Sequence, residues 1–146
     1  MRLPKDLREF VESLNSHGVE YVLVGAYAMA YHSRPRYTED IDILVRPSAE
    51  NGVRLLGVIE AFGFTSLGLT AADFQTQNQV VQLGRPPNRI DILTSISGVS
   101  FEEAWQERQF GELDGVPAPF LSKDCLARNK AASGRDKDLE DLKRLS

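Results

Sequence analysis

The sequence predicts an α/β chain folded as one domain, residues 1–146. Three observations carry this expectation. The apolar run Tyr21-Val22-Leu23-Val24 ends at Gly25 and feeds a stretch of good helix formers, Ala26, Ala28, Met29 and Ala30. The segment Asp40-Ile41-Asp42-Ile43-Leu44-Val45 alternates charge with branched apolar residues, the period-two pattern of a half-buried strand. Around these strands lie segments with helical apolar spacing and recognisable caps. No repeat, low-complexity tract or composition shift marks a boundary, so the helices over residues 122–145 are read as part of the same domain.

The first helix is expected from Pro4 to Ser16, with Leu7, Phe10, Val11 and Leu14 as its apolar stripe and Gly18 as its stop. A strand over Val19–Val24 follows, then the glycine turn and a helix to His32, ended by Ser33-Arg34-Pro35. After the aspartate-bearing strand, Arg46-Pro47-Ser48 breaks the chain and Ser48 caps a helix with an imperfect apolar face read as Val53, Leu56, Ile59, Glu60 and Phe62, with Gly63 at its end. Phe64–Leu69 reads as a short strand or loop, and Thr70–Asp73 as a loose capping box. Gln79–Leu83 and Arg89–Leu93 are strands joined by a turn over Gly84–Asn88. Ser100–Glu103 is a capping box opening a helix through Trp105. Asp114-Gly115 between short apolar runs signals a hairpin, and Pro117 and Pro119 argue for an edge strand. Ser122 caps a helix that ends near Gly134. The last helix, Asp136–Leu145, is assigned Leu139, Leu142 and Leu145 as its buried row.

Composition narrows the function. Hydrophobic residues make up 42% and charged residues 26%, ordinary for a globular domain. The net charge of −4 does not suggest broad electrostatic binding of nucleic acid, which leaves a basic footprint. The single cysteine, Cys125, excludes an internal disulfide and reads as a small buried hydrophobe. No apolar run approaches the roughly 20 residues of a membrane span, and MRLPKDLREF does not read as a signal peptide, so a cytoplasmic location is expected. No His/Cys cluster suggests zinc.

Asp40 and Asp42 share one face of their strand, roughly 6–7 Å apart. Such a pair is also found on any solvated edge strand. The turn at Gly25 adds meaning, because a strand entering a helix through glycine presents backbone N–H groups that suit an anion. A phosphate cradle and a carboxylate clamp together are what a metal-bound triphosphate needs. Asp91, flanked by isoleucines as Asp42 is, becomes a third acid of the same site if its strand pairs beside Asp40–Val45. Three carboxylates on one face are costly without a cation among them.

Three segments, Val22-Leu23-Val24-Gly25-Ala26, Pro35-Arg36-Tyr37-Thr38-Glu39-Asp40-Ile41-Asp42 and Arg89-Ile90-Asp91-Ile92-Leu93, resemble the polymerase-beta-type nucleotidyltransferase superfamily. With the tail Arg128 to Asp141, the chain is most similar to small bacterial stand-alone members related to abortive-infection toxin enzymes. The resemblance implies the nucleotidyltransferase fold: a short, mixed, twisted sheet with helices mainly on one face. It implies that Asp40, Asp42 and Asp91 are catalytic and hold two Mg²⁺ ions, with Mn²⁺ as a substitute, and that Asp91 accepts the proton of the attacking hydroxyl. Gly25 and Ala26 would hold the terminal phosphates, Arg36 and Thr38 would steady phosphates or the acid strand, and Lys130 would reach into the nucleotide site. The partners implied are an NTP, a hydroxyl acceptor on protein, RNA or a small molecule, and an antitoxin-like protein. A non-catalytic nucleotide-binding or regulatory member is the alternative. Ala26 stands where the family usually has serine or glycine. It offers no hydroxyl and disfavours a left-handed backbone, so a weaker phosphate grip is expected.

Overall fold

The computed structural model describes residues 4–33, 40–85 and 88–145. The elements run α1 (Lys5–Ser16), β1 (Tyr21–Val24), α2 (Gly25–His32), β2 (Asp40–Val45), α3 (Ala49–Ala61), β3 (Val80–Leu83), β4 (Arg89–Leu93), α4 (Phe101–Gln106), β5 (Gln109–Leu113), β6 (Val116–Phe120), α5 (Lys123–Ser133) and α6 (Asp136–Leu145). The expected caps form: the side chains of Ser48, Ser100 and Ser122 accept the backbone N–H groups of Asn51, Glu103 and Cys125. They satisfy donors that the first helical turn leaves open. Among the described residues no helix is long and apolar enough to cross a membrane.

The strands form one mixed sheet in the order β3-β4-β2-β1-β6-β5. β2 lies inside it, antiparallel to β1 and parallel to β4. Two hairpins supply the flanks, β3 with β4 and β5 with β6. The second turns through Asp114 at φ +50° and Gly115 at φ +82°, the pair of left-handed residues a two-residue hairpin requires.

The sheet is covered on both sides. Ile41, Ile43 and Val45 of β2 pack with Leu7, Phe10 and Leu14 of α1 and Leu55, Val58 and Ile59 of α3. Leu44, with Val22 and Val24 of β1, packs with Ala28 and Met29 of α2, Ala104 of α4 and Cys125 and Leu126 of α5. The helices, expected mainly on one face, therefore divide between the two.

Four local expectations are corrected. In α3 the inward row is Asn51, Gly52, Leu55, Val58 and Ile59, and Val53 points outward. Asn51 is inside because it ties strand ends together: its Oδ1 accepts from Glu20 N at 2.7 Å, and its Nδ2 donates to the carbonyls of Glu20 and Arg46. Gly52 lets the Ala71 backbone approach; a Cβ there would stand 2.7 Å from the Ala71 carbonyl oxygen. Of the short strand or loop expected over Phe64–Leu69, Phe64–Leu67 forms a 3₁₀ turn and no strand. β6 is not an edge. It meets β1 only at Leu23 opposite Phe120, so Pro117 and Pro119 precede the shared ladder and break no bond in it.

The fourth correction concerns α6, whose buried residues are Asp138, Asp141 and Leu145, with Leu139 exposed. The inward face is polar because α5 presents a buried lysine to it. The Lys130 ammonium lies 3.2 Å from Asp138 and 3.1 Å from Asp141. Arg135 and Ser133 complete the set, donating to Asp138 Oδ2 at 2.7 and 2.8 Å. The last helix is thus held by a buried ionic lock.

Burial alone would raise the Asp138 carboxyl, but hydrogen bonds from Arg135, Ser133 and Lys130 outweigh it and hold the group well below the usual carboxylate range. Its contribution to stability is fully present above about pH 4 and is lost as pH falls below that, through the folded-state value. Asp138→Ala leaves the Lys130 charge short of a partner and is expected to cost about 3 kcal/mol in urea unfolding at neutral pH. An unchanged midpoint would show that the lock carries no stability.

Candidate active site

The acid face follows from strand register. Ile41 and Ile43 are fully buried in the core below β2, so Asp40 and Asp42 project on the other side. β4 runs parallel with Asp42 opposite Asp91 and Asp40 opposite Arg89. All four side chains therefore share one face, and the expectation that residue 91 joins the pair on β2 holds. Arg89 was not foreseen as a site residue. It is legible afterwards from parity alone, since residues 89 and 91 of one strand point the same way.

Contacts within the cluster are short. Arg89 donates through Nη2 to Asp40 Oδ2 at 2.6 Å, through Nε to Asp91 Oδ1 at 2.9 Å and through Nη2 to Asp91 Oδ2 at 3.0 Å. Asp42 stands against Asp91 instead. Burial first, then the charge and hydrogen bond of Asp91 and the charge of Asp40, push the Asp42 carboxyl up to about 7, only partly offset by Arg89.

Gly25 makes this closeness possible. It sits one residue beyond Val24, which pairs with Asp42. Its φ of +65° is left-handed, and a Cβ on it would lie 2.1 Å from Asp42 Oδ2. The left-handed residue of the turn is Gly25 and not Ala26, so the backbone cost expected for alanine does not arise. Ala26 is half-buried in the first turn of α2.

The acids open into a cleft of about 500 Å³, lined also by Gly25, Lys130, Ser133, Arg135 and Asp138. That volume suits a small ligand. One wall is the acid face and the other is the tail of α5 and the start of α6. Lys130 lines the cleft, but its ammonium is engaged by Asp138 and Asp141. Asp138 is 1% exposed and braces this wall. Arg36 and Thr38 lie outside the described residues. His32 and Tyr31 pack elsewhere: His32 Nε2 is 2.6 Å from the Leu121 carbonyl, and Tyr31 stacks on Phe120. An apolar cavity of about 550 Å³ between α5 and α6 contains none of the three acids.

No family model matches the sequence, and no curated protein matches it. Solved structures do share its fold. A candidate nucleotidyltransferase of Thermotoga maritima superposes with a TM-score of 0.64 at 18% identity, over 95% of this chain and 89% of its own. The chain has the nucleotidyltransferase fold. An antigenic nucleotidyltransferase-like protein of Paracoccidioides brasiliensis superposes at 0.53 and 19% identity, over 96% of this chain and 73% of its own.

Whether the residues of this nucleotidyltransferase fold suit a divalent cation can be judged from the donor set. Carboxylate oxygens are the ligands that Mg²⁺ prefers. Asp42, whose carboxyl is pushed up by burial and by the neighbouring Asp91 and Asp40, marks a place where positive charge is in deficit. Arg89 already supplies one positive charge. Its fork engages Asp40 and Asp91, and among the described residues no group of three or more His, Cys, Asp or Glu is placed to hold a metal ion. The chemistry fits a hard cation once those oxygens are released.

Two outcomes are expected. Because Asp42 is raised in the folded state, it contributes stability that is complete below about pH 4 and lost as pH rises through about 7. Metal-free protein should therefore weaken in denaturant between about pH 5 and about pH 8, and Asp42→Asn should flatten that slope. Gly25→Ala is expected to displace the Asp42 carboxylate and to lower stability by about 1–3 kcal/mol through backbone strain. A crystal structure of Gly25→Ala with Asp42 unmoved would contradict this.

Proposed function

We propose that the chain is a metal-dependent nucleotidyltransferase that moves a nucleoside monophosphate from an NTP to a hydroxyl acceptor. The observation that carries this is the meeting of Asp40, Asp42 and Asp91 on one sheet face beside the Gly25 turn. Three acids held together at a stability cost, opening into a cleft of ligand size, are hard to explain as structure alone. The shared fold supports the same reading.

In this reading Asp40, Asp42 and Asp91 would hold two Mg²⁺ ions, with Mn²⁺ as a substitute. When bound, the ions would neutralise the triphosphate and stabilise charge on the attacking and leaving oxygens. Asp91 accepts the proton of the acceptor hydroxyl as its oxygen bonds to the α-phosphorus. The bond from that phosphorus to the bridging oxygen breaks, and pyrophosphate leaves with the electron pair. The backbone at Gly25 and Ala26 lies at the start of α2, where open N–H groups suit the terminal phosphates. Positioning and charge neutralisation do most of the work in such a transfer. The acceptor is a hydroxyl of protein, RNA or a small molecule, and an antitoxin-like protein is a further partner.

The Arg89 fork favours a second reading, a nucleotide-binding or regulatory protein without transfer activity, because it takes oxygens that ions need. One experiment separates the two. The protein is incubated with each α-labelled NTP, Mg²⁺ or Mn²⁺ and a cell lysate, and the label is followed into protein, RNA and small molecules. Transfer is expected, reduced at least about a hundredfold in Asp42→Asn and in Asp91→Asn. NTP-dependent thermal stabilisation without any transfer would support the second reading.

A further inference from the structure

Arg89 belongs to the acid face yet has no part in the transfer chemistry. Its place is dictated by the ladder, directly opposite Asp40 and two residues before Asp91. The guanidinium fork then satisfies oxygens of both acids at once, at 2.6, 2.9 and 3.0 Å. The bond to Asp40 joins β4 to β2, while those to Asp91 stay within β4, so one side chain ties together carboxylates from separate parts of the chain.

We propose that Arg89 is the internal competitor of the divalent cation: its guanidinium occupies Asp40 and Asp91 in the metal-free protein and must leave them for the cation to enter. The inference rests on the metal-dependent reading above and makes Arg89 a positioning residue acting through the two acids. Geometry gives three reasons. The oxygens Arg89 engages belong to two of the three acids that would ligate the ion, so both cannot bind them fully. Its side chain is 29% exposed and lines the same cleft, which gives the long arm room to turn out without unfolding the strand. Finally, one guanidinium among three carboxylates leaves negative charge in excess when all are ionised, and Asp42 lies outside the fork. A guanidinium is a weakly hydrated monovalent cation with a fixed fork; a divalent ion brings more charge to the same oxygens. Arg89 would hold the acids together before the ion arrives and yield to it afterwards.

The test uses the full chain stripped of metal with a chelator. Mn²⁺ is titrated while free ion is followed by its electron paramagnetic signal, and thermal midpoints are recorded with and without Mn²⁺. Arg89→Gln is expected to lower the metal-free midpoint, to bind Mn²⁺ about tenfold more tightly, and to gain a larger Mn²⁺-induced rise. Arg89→Lys keeps the charge but cannot fork across two acids, so its affinity should fall between Gln and wild type. A purely structural arginine would lower the midpoint but leave Mn²⁺ affinity unchanged or weaker, and that result in folded Arg89→Gln overturns the proposal. Where Arg89→Gln does not fold, Arg89→Lys decides: tighter binding than wild type supports the competition, and equal or weaker binding refutes it. If wild type binds Mn²⁺ and transfers nucleotide while neither variant binds more tightly, only the Arg89 inference falls. If no form binds Mn²⁺, the metal-dependent reading falls and takes this inference with it.

Discussion

The parallel pairing of β2 with β4 is the constraint on which the site depends. Its register sets Asp42 opposite Asp91 and Asp40 opposite Arg89. A slip by one residue would turn Ile90 and Ile92 toward the cleft and drive Asp91 into the core. The apolar residues between the acids enforce the register. Ile41, Ile43 and Ile92 are completely buried, so misregister would cost the packing of a whole sheet face. Charge crowding on one face is thus tolerated because hydrophobic burial on the other face holds it in place.

The remaining parts of the cleft adapt to that crowding. At one side the chain uses glycine where any side chain would strike Asp42. Opposite, the α5–α6 tail brings its own balanced charges, with Lys130 shared by Asp138 and Asp141 and Arg135 closing over Asp138. The two walls follow the same rule, that a charge kept from water is given partners of opposite sign. They differ in completeness. The tail cluster is closed, whereas on the sheet Asp42 faces chiefly other acids.

Much of this arrangement was legible in the residues. The D-x-D alternation, the glycine bend and the second Ile-Asp-Ile strand marked three acids and a turn as parts of one site on the condition that β4 pairs beside β2, as it does. The caps at Ser48, Ser100 and Ser122 announced three helix starts, and Asp114-Gly115 announced a hairpin. What could not be read was set by partners distant in sequence. The inward face of α6 looks apolar in isolation, with leucines at helical spacing. It turns polar only because α5 offers a buried ammonium, so Asp138 and Asp141 go in and Leu139 stays out. Asn51 similarly goes inside because of the strand ends it bridges, which its local sequence does not announce. Arg89 was hidden for another reason: it sits in a motif noted for its aspartate, and a cation is not what one looks for among expected metal ligands.

Asp42 and Asp91 are separated by about fifty residues of intervening chain, and no local turn can bring them together. Parallel neighbours meet only after a long crossover has closed. In this chain that crossover contains α3, β3 and the turn into β4. Mutual repulsion among the acids is consequently a cost of the paired β2–β4 seam and does not arise while the two strands are apart. A chain in which β2 and β4 are apart presents scattered single carboxylates, so the gathering of Asp40, Asp42 and Asp91 on one face is a property of the completed topology.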